Sequence, residues 1–119
     1  MIPYFSIVIP TYNRASRIVQ AIQSILTQSF QDFEIIVIDD ASTDNTFQIV
    51  SEIKDDRIKY YRNETNQERC LSRNKGIELA QGTYICFLDS DDYHLSNHLE
   101  TLYLAIQEKK EPVAFFFTN

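Results

Sequence analysis

The chain has 119 residues, 44% of them hydrophobic, and a formal net charge of −6 at pH 7. That length suits one domain with enough apolar side chains for a buried core. The acidic balance argues against a nucleic-acid surface, which needs a basic stripe, and no apolar run approaches the roughly 20 residues that span a bilayer. Cys70 and Cys86 are too few for a disulfide framework and belong to no CxxC or CxH pair, so neither a stapled fold nor a zinc site is expected.

In chain order, short β-rich runs alternate with helical patterns. The opening MIPYFSIVIP lacks a basic leader segment and a small-residue cleavage site, and it reads as a first strand over Phe5 to Ile9, ended by Pro10. Ser16 to Thr27 carries Ile18, Val19, Ile22, Ile25 and Leu26 at the spacing of an amphipathic helix. Phe33 to Ile38 is almost wholly apolar, as a strand covered on both faces must be. Ser42 is the predicted N-cap of a helix reaching Ile53, with Asp44 in its first turn. Ile58 to Tyr61 reads as a third strand. The next helix is predicted over Leu71 to Ala80, burying Leu71, Ile77 and Ala80, with Gly82 just past its end. Tyr84 to Leu88 forms a fourth strand, with Cys86 a small core residue. Ser96 is placed as the cap of a helix running to Glu108, and Val113 to Phe117 as a fifth strand. Alternating strands and helices predict an α/β fold: a Rossmann-like, three-layer αβα sandwich with a mainly parallel sheet and right-handed crossovers.

In such sheets ligands bind in the crevice beyond the carboxyl ends of the strands, and three strands here end in chemistry. The first runs into Pro10-Thr11-Tyr12-Asn13-Arg14, the second into Asp39-Asp40, the fourth into Asp89-Ser90-Asp91-Asp92. Asp39-Asp40 fits a loop start in which one Asp caps a helix, and equally a carboxylate that accepts hydrogen bonds from a ligand. Asp89, Asp91 and Asp92 crowd like charges behind a buried strand, which costs free energy unless water or a cation neutralises them. Two carboxylates aimed at one point suit a hard divalent ion such as Mg2+ or Mn2+ that also binds substrate phosphates; the alternative is a solvated turn. Arg73, with Arg69 and Lys75, lies near a helix N-terminus, where a cation opposes the macrodipole and implies an anionic neighbour, either a phosphate or a strand-end aspartate. Tyr12 can stack on a base or pack on the first helix. His94 and His98 have metal-ligand spacing without an evident third ligand. Gly76 and Gly82 are the only glycines, so dinucleotide and Walker-type phosphate cradles are not expected.

Two stretches, FSIVIPTYNRASRIVQAIQSILTQSFQDFEIIVIDDASTDNT and LSRNKGIELAQGTYICFLDSDD, cover nearly the whole chain. In order and spacing they resemble the N-terminal, nucleotide-sugar-binding half of a family 2 glycosyltransferase of the GT-A fold. The resemblance implies that Pro10, Thr11, Tyr12 and Asn13 form the loop that holds the nucleobase, and that Asp39, beside Asp40, reads the imide N–H of the base. It implies Arg73 near the diphosphate, Asp91 as direct metal ligand, and Asp89 toward the ribose and the metal's waters; Asp92, next in the segment, is then read as support for the metal site or for the entry to the following helix. The expected donor is a UDP- or dTDP-linked sugar, the cofactor Mg2+ or Mn2+, and the reaction an inverting transfer to a saccharide or lipid-linked acceptor, in surface-polysaccharide synthesis.

Two departures stand out: Ser96 lies near the family's usual proline, and Gln67 or Glu68 replaces a frequent loop glycine. The general base of an inverting enzyme lies well downstream of the DxD in this family. It is expected beyond Asn119, so no catalytic residue is assigned within the chain. The chain is expected to be a donor-binding domain cut short of its acceptor-binding half, inactive by itself. Its expected place is the cytoplasm, at the inner face of the membrane, with no integral membrane segment and with an edge at Val113 to Phe117 able to drive homo-oligomers. The rivals are a GT-A-like domain that binds nucleotide or a partner protein without catalysis, a haloacid-dehalogenase-type phosphohydrolase, which wants its DxD after the first strand, and a receiver-like module, which wants its acidic pair there.

Overall fold

A computed structural model describes residues 2–108, apart from the side chains of Glu68 and Arg69. The elements alternate as expected: β1 (Phe5–Thr11), α1 (Ala15–Leu26), β2 (Phe33–Asp39), α2 (Thr46–Ser51), β3 (Ile58–Arg62), α3 (Glu68–Leu79), β4 (Tyr84–Phe87) and α4 (His98–Gln107). The four strands pair in the order β3-β2-β1-β4, and every pairing is parallel. The predicted strand at Val113 to Phe117 lies outside the described residues. So does Asn119, beyond which the general base is expected, and the structure therefore leaves that expectation untested.

Side chains alternate across each strand, and both faces of the two central strands are largely apolar. Phe5, Ile7 and Ile9 of β1 and Phe33, Ile35 and Val37 of β2 pack with Ile18, Ala21, Ile22 and Ile25 of α1, Val50 of α2, and Leu99, Leu102 and Ile106 of α4. On the opposite face Val8, Ile36 and Ile38 meet Ala80 beside α3. The result is the predicted α/β sandwich in three layers.

That second face also buries charge. Glu34 accepts hydrogen bonds from Ser6 Oγ at 2.6 Å, Lys59 Nζ at 2.8 Å and the Gln81 N–H at 2.7 Å. Burial opposes its ionisation, but the bonds from Lys59, Ser6 and Gln81 outweigh burial and hold the carboxyl below its ordinary value.

Four local expectations need correction. α2 starts at Thr46 rather than after Ser42 and ends at Ser51 rather than Ile53; Ser42 caps nothing, because its hydroxyl accepts the Asn13 N–H at 2.9 Å. Asp44 therefore precedes that helix instead of sitting in its first turn. α3 begins three residues before Leu71, at Glu68, and exposes Leu71 and Ile77. It approaches the sheet through small residues: Ser72 is buried, and a Cβ on Gly76 would stand 2.2 Å from Val8 Cγ1. A bulky apolar face cannot come that close. α4 starts at His98, with Asn97 rather than Ser96 at the cap position, while the Ser96 carbonyl accepts the Ser29 N–H.

The register aligns the carboxyl ends of the strands. Thr11 stands opposite Asp39 and Asp39 opposite Arg62, while Phe87 lies level with Val8. Two backbone bonds carry the ladders one residue further, from the Asp40 N–H to the Thr11 carbonyl and from the Asn63 N–H to the Asp39 carbonyl. The loops after β1, β2 and β4 thus open onto one edge.

Candidate functional site

An open pocket of about 210 Å³ lies at that edge. The end of β1 and its loop supply Pro10, Thr11, Tyr12 and Arg14, the end of β2 supplies Asp40, α3 supplies Ser72, and the turn after β4 supplies Asp89, Ser90 and Asp91. Of the predicted site residues, Pro10, Thr11, Tyr12, Asp40, Asp89 and Asp91 share this lining.

Asp39 does not. It is fully buried, and its carboxylate turns inward. Oδ1 accepts the Ser42 N–H at 2.9 Å, Oδ2 accepts the Tyr60 hydroxyl, and Arg62 Nη1 lies 3.8 Å from Oδ2. Burial first, and then the neighbouring Asp39 carboxylate, push the Tyr60 hydroxyl above its ordinary pKa. The cause of the split is strand alternation: consecutive side chains leave on opposite faces, so one of two adjacent aspartates faces the α1 layer and the other the α3 side. Asp40 takes the second position. Its Oδ1 accepts Asn63 Nδ2 at 2.9 Å and the Gln67 N–H at 2.6 Å.

Asn13 also lies outside the lining. Its side chain is engaged by the loop after β2, accepting the Thr43 N–H at 2.8 Å. Arg73 approaches the pocket from α3. Its Nη2 lies 3.3 Å from Asp89 Oδ1 and its guanidinium stands 5.6 Å from the centre of the Phe87 ring. Of the two partners that the sequence allows it, a phosphate or a strand-end aspartate, Arg73 is here paired with Asp89.

Two buried polar atoms near the pocket have no hydrogen-bond partner among the described residues, Thr11 Oγ1 and Arg73 Nε. Thr11 is only 3% exposed. A buried hydroxyl or N–H left without a partner costs free energy, and a polar ligand in the pocket would relieve that cost.

Asp89, Asp91 and Asp92 each present a carboxylate oxygen within 4.8 Å of the others, with Asp89 half-buried and the other two exposed. Three hard oxygen donors that close fit Mg2+ or Mn2+, which accept carboxylates and keep several waters. The histidine pair does not join this cluster. The His94 and His98 rings stack at 4.0 Å, and burial, then His98, depress the His94 pKa to about 4.

Arg14, Ser72 and Ser90 were missed as lining residues. Ser72 and Ser90 are small, polar and buried; nothing in its local sequence distinguishes Ser72 from an ordinary helix serine, whereas Ser90 lies between the two carboxylates of the strand-end segment and carried its signal in that position. Arg14 directly follows the Pro10 to Asn13 loop, and a cation continuing a ligand-facing segment was a legible signal.

Residues 6–118 match the family described as Glycosyl transferase family 2. An uncharacterized glycosyltransferase of Haemophilus influenzae is 47% identical over 100 residues, covering 82% of this chain and 40% of that protein. GalNAc(5)-diNAcBac-PP-undecaprenol beta-1,3-glucosyltransferase of Campylobacter jejuni is 42% identical over 120 residues, covering 98% of this chain and 38% of its own length. Among solved structures, S. aureus TarS 1–349 in complex with UDP-GlcNAc superposes with a TM-score of 0.84 at 36% identity, over 88% of this chain and 31% of that one. The fold is that of the GT-A glycosyltransferases, and the site lies at the edge where α/β sheets bind ligands. The chain belongs to glycosyltransferase family 2 and spans about two fifths of the length of these curated relatives.

Proposed function

We propose that residues 1–119 form the domain that holds the donor, a UDP- or dTDP-linked sugar, for inverting transfer of a hexose to an acceptor hydroxyl. The observation that carries this reading is one pocket lined jointly by a strand-end aspartate, a buried threonine hydroxyl without a partner among the described residues, and two members of a three-carboxylate cluster. In it, Tyr12 stacks on the base. Asp40, and not Asp39, accepts the imide N–H, because Asp40 is the one of the pair that lines the pocket. Pro10 and Thr11 close the base end, and the Thr11 hydroxyl gains a partner there. Asn13 shapes the loop rather than touching the donor. Asp89 serves the ribose side and, with Asp91, holds Mg2+ or Mn2+, with Asp92 in support.

When bound, the ion supplies Lewis-acid stabilisation of the departing diphosphate. Arg73 adds positive charge at the same end, its Nε lacking a partner among the described residues. Transfer also needs a general base for the acceptor hydroxyl. The reading assigns none of these residues to that role and places the base beyond Asn119, so the 1–119 polypeptide binds donor without efficient turnover. The C. jejuni relative's name makes a lipid-linked saccharide a reasonable acceptor, met at the cytoplasmic face of a membrane. Among the described residues no helix is long and apolar enough to cross one.

Calorimetric titration of UDP with and without Mn2+ tests the proposal. Mn2+ is expected to tighten UDP binding, and Asp91→Ala to abolish that enhancement. UDP affinity indifferent to the metal, or an Asp91→Ala protein that still responds to it, would sink the metal assignment.

A further inference from the structure

The loops that follow β1 and β2 flank the pocket and are tied to each other. Asn13 Oδ1 accepts the N–H groups of Thr43 and Asp44 at 2.8 and 3.3 Å, and Ser42 Oγ accepts the Asn13 N–H at 2.9 Å. Asp44 completes the brace. Its Oδ2 accepts the N–H of Ala15, first residue of α1, at 3.2 Å; its Oδ1 accepts the N–H of Thr46, first residue of α2, at 3.1 Å and also the Thr46 hydroxyl. The residues at the cap positions of those helices, Arg14 and Asn45, make no side-chain cap bond. One carboxylate from outside both helices therefore satisfies donors at two helix starts.

The backbone shows why a brace is needed. Asn13 and Ala41 adopt left-handed conformations, with φ of 51° and 63°. Asn tolerates this region, whereas for Ala its Cβ crowds the following carbonyl oxygen, so the loops need contacts that hold these turns in place. Asn13 sits between Tyr12 and Arg14, and Ala41 directly follows Asp40. All three of those neighbours line the pocket, while Asp44 does not.

From this arrangement we infer that Asp44 is a positioning residue for the nucleoside end of the donor. It touches no part of the pocket, but it sets the spacing between the loop carrying Tyr12 and the loop carrying Asp40. The inference rests on the donor-binding reading above and adds a residue to it.

The test uses the 1–119 chain with two probes, UDP with Mn2+ and pyrophosphate with Mn2+, and adds thermal melts. Asp44→Ala is expected to weaken UDP binding at least about tenfold while leaving Mn2+-pyrophosphate affinity unchanged, because the aspartate cluster after β4 is not part of the brace. Asp44→Asn, which keeps one carbonyl acceptor, should fall between wild type and Asp44→Ala; it carries the test if the alanine variant does not fold. UDP affinity equal to wild type, or equal losses for both probes, would mean that Asp44 serves stability alone and would overturn the inference. A wild-type chain that binds no UDP under either condition takes down the donor reading and this inference together. A wild type that binds beside a variant unchanged takes down only the inference.

Discussion

At the scale of single residues, the two adjacent aspartates after β2 have different work. Asp39 lies with its carboxylate among Ser42, Tyr60 and Arg62, whereas Asp40 faces the cavity. Removing Asp39 leaves the buried Ser42 N–H and the half-buried Tyr60 hydroxyl without their acceptor; an orphaned buried group costs about 1–3 kcal/mol, and a half-buried one less. Asp39→Ala is therefore expected to lower stability by about 2–4 kcal/mol in urea unfolding. Asp40→Ala also removes the acceptor of Asn63 Nδ2 and of the Gln67 N–H and should lower stability as well, but unlike Asp39→Ala it should in addition weaken UDP binding by the folded protein in titration. The reverse pattern would return the base-reading role to Asp39. Sequence alone supplied the pair but not the division, since spacing of one residue puts the side chains on opposite faces without saying which face is the pocket. The strand-end DxD was more legible. Three carboxylates in four positions carry their electrostatic problem in the sequence itself, and folding brings their oxygens within 4.8 Å.

At the scale of elements, the strands were the easiest to read. β1 and β2 are continuous β-branched and aromatic runs buried on both faces, and tertiary context adds only a residue or two at their ends. Helices were read well where an apolar stripe set them, as in α1, and poorly where it did not. α3 contacts the sheet through Ser72 and Gly76, which carry almost no hydrophobic signal, so its buried face was assigned to Leu71 and Ile77 instead. The tight contact makes Gly76 sensitive. An alanine methyl there meets Val8 Cγ1 at 2.2 Å, and overpacking of this kind costs roughly 1–3 kcal/mol. Gly76→Ala should lower the thermal midpoint, and Val8→Ala in the same chain should recover part of that loss by vacating the space. A Gly76→Ala protein as stable as wild type would show that α3 rides higher on the sheet than described. The start of α2 was misplaced for a different reason: Ser42 is a good cap by composition, but its hydroxyl is occupied by a loop 29 residues earlier.

At the scale of the whole molecule, Glu34 joins four parts of the chain. Its carboxylate on β2 collects Ser6 from β1, Lys59 from β3 and the Gln81 N–H from the turn between α3 and β4. The folded-state pKa lies below the ordinary 4.5, so the group contributes stability that is fully present above that value. The contribution is lost as pH falls through the lowered folded pKa. Chemical unfolding followed from pH 7 down to about 3 is expected to show stability declining below about pH 4.5, and Glu34→Gln should flatten part of that decline. An identical pH profile in wild type and Glu34→Gln would remove Glu34 from the account of acid stability.

The sequence by itself determined the class of architecture, the identity of the strand-end residues and the acidic cluster. These follow from periodicity and local charge, which are properties of neighbours along the chain. Only the tertiary structure decided which of those residues share a pocket. It placed buried Asp39 away from the pocket and buried Asp40 in its lining, engaged Asn13 and Asp44 between two loops, and added Arg14, Ser72 and Ser90 to the lining. Each of those outcomes depends on partners brought together from distant positions, and the register of a parallel sheet, which aligns Thr11 with Asp39 and Val8 with Phe87, exists only once the chain has folded.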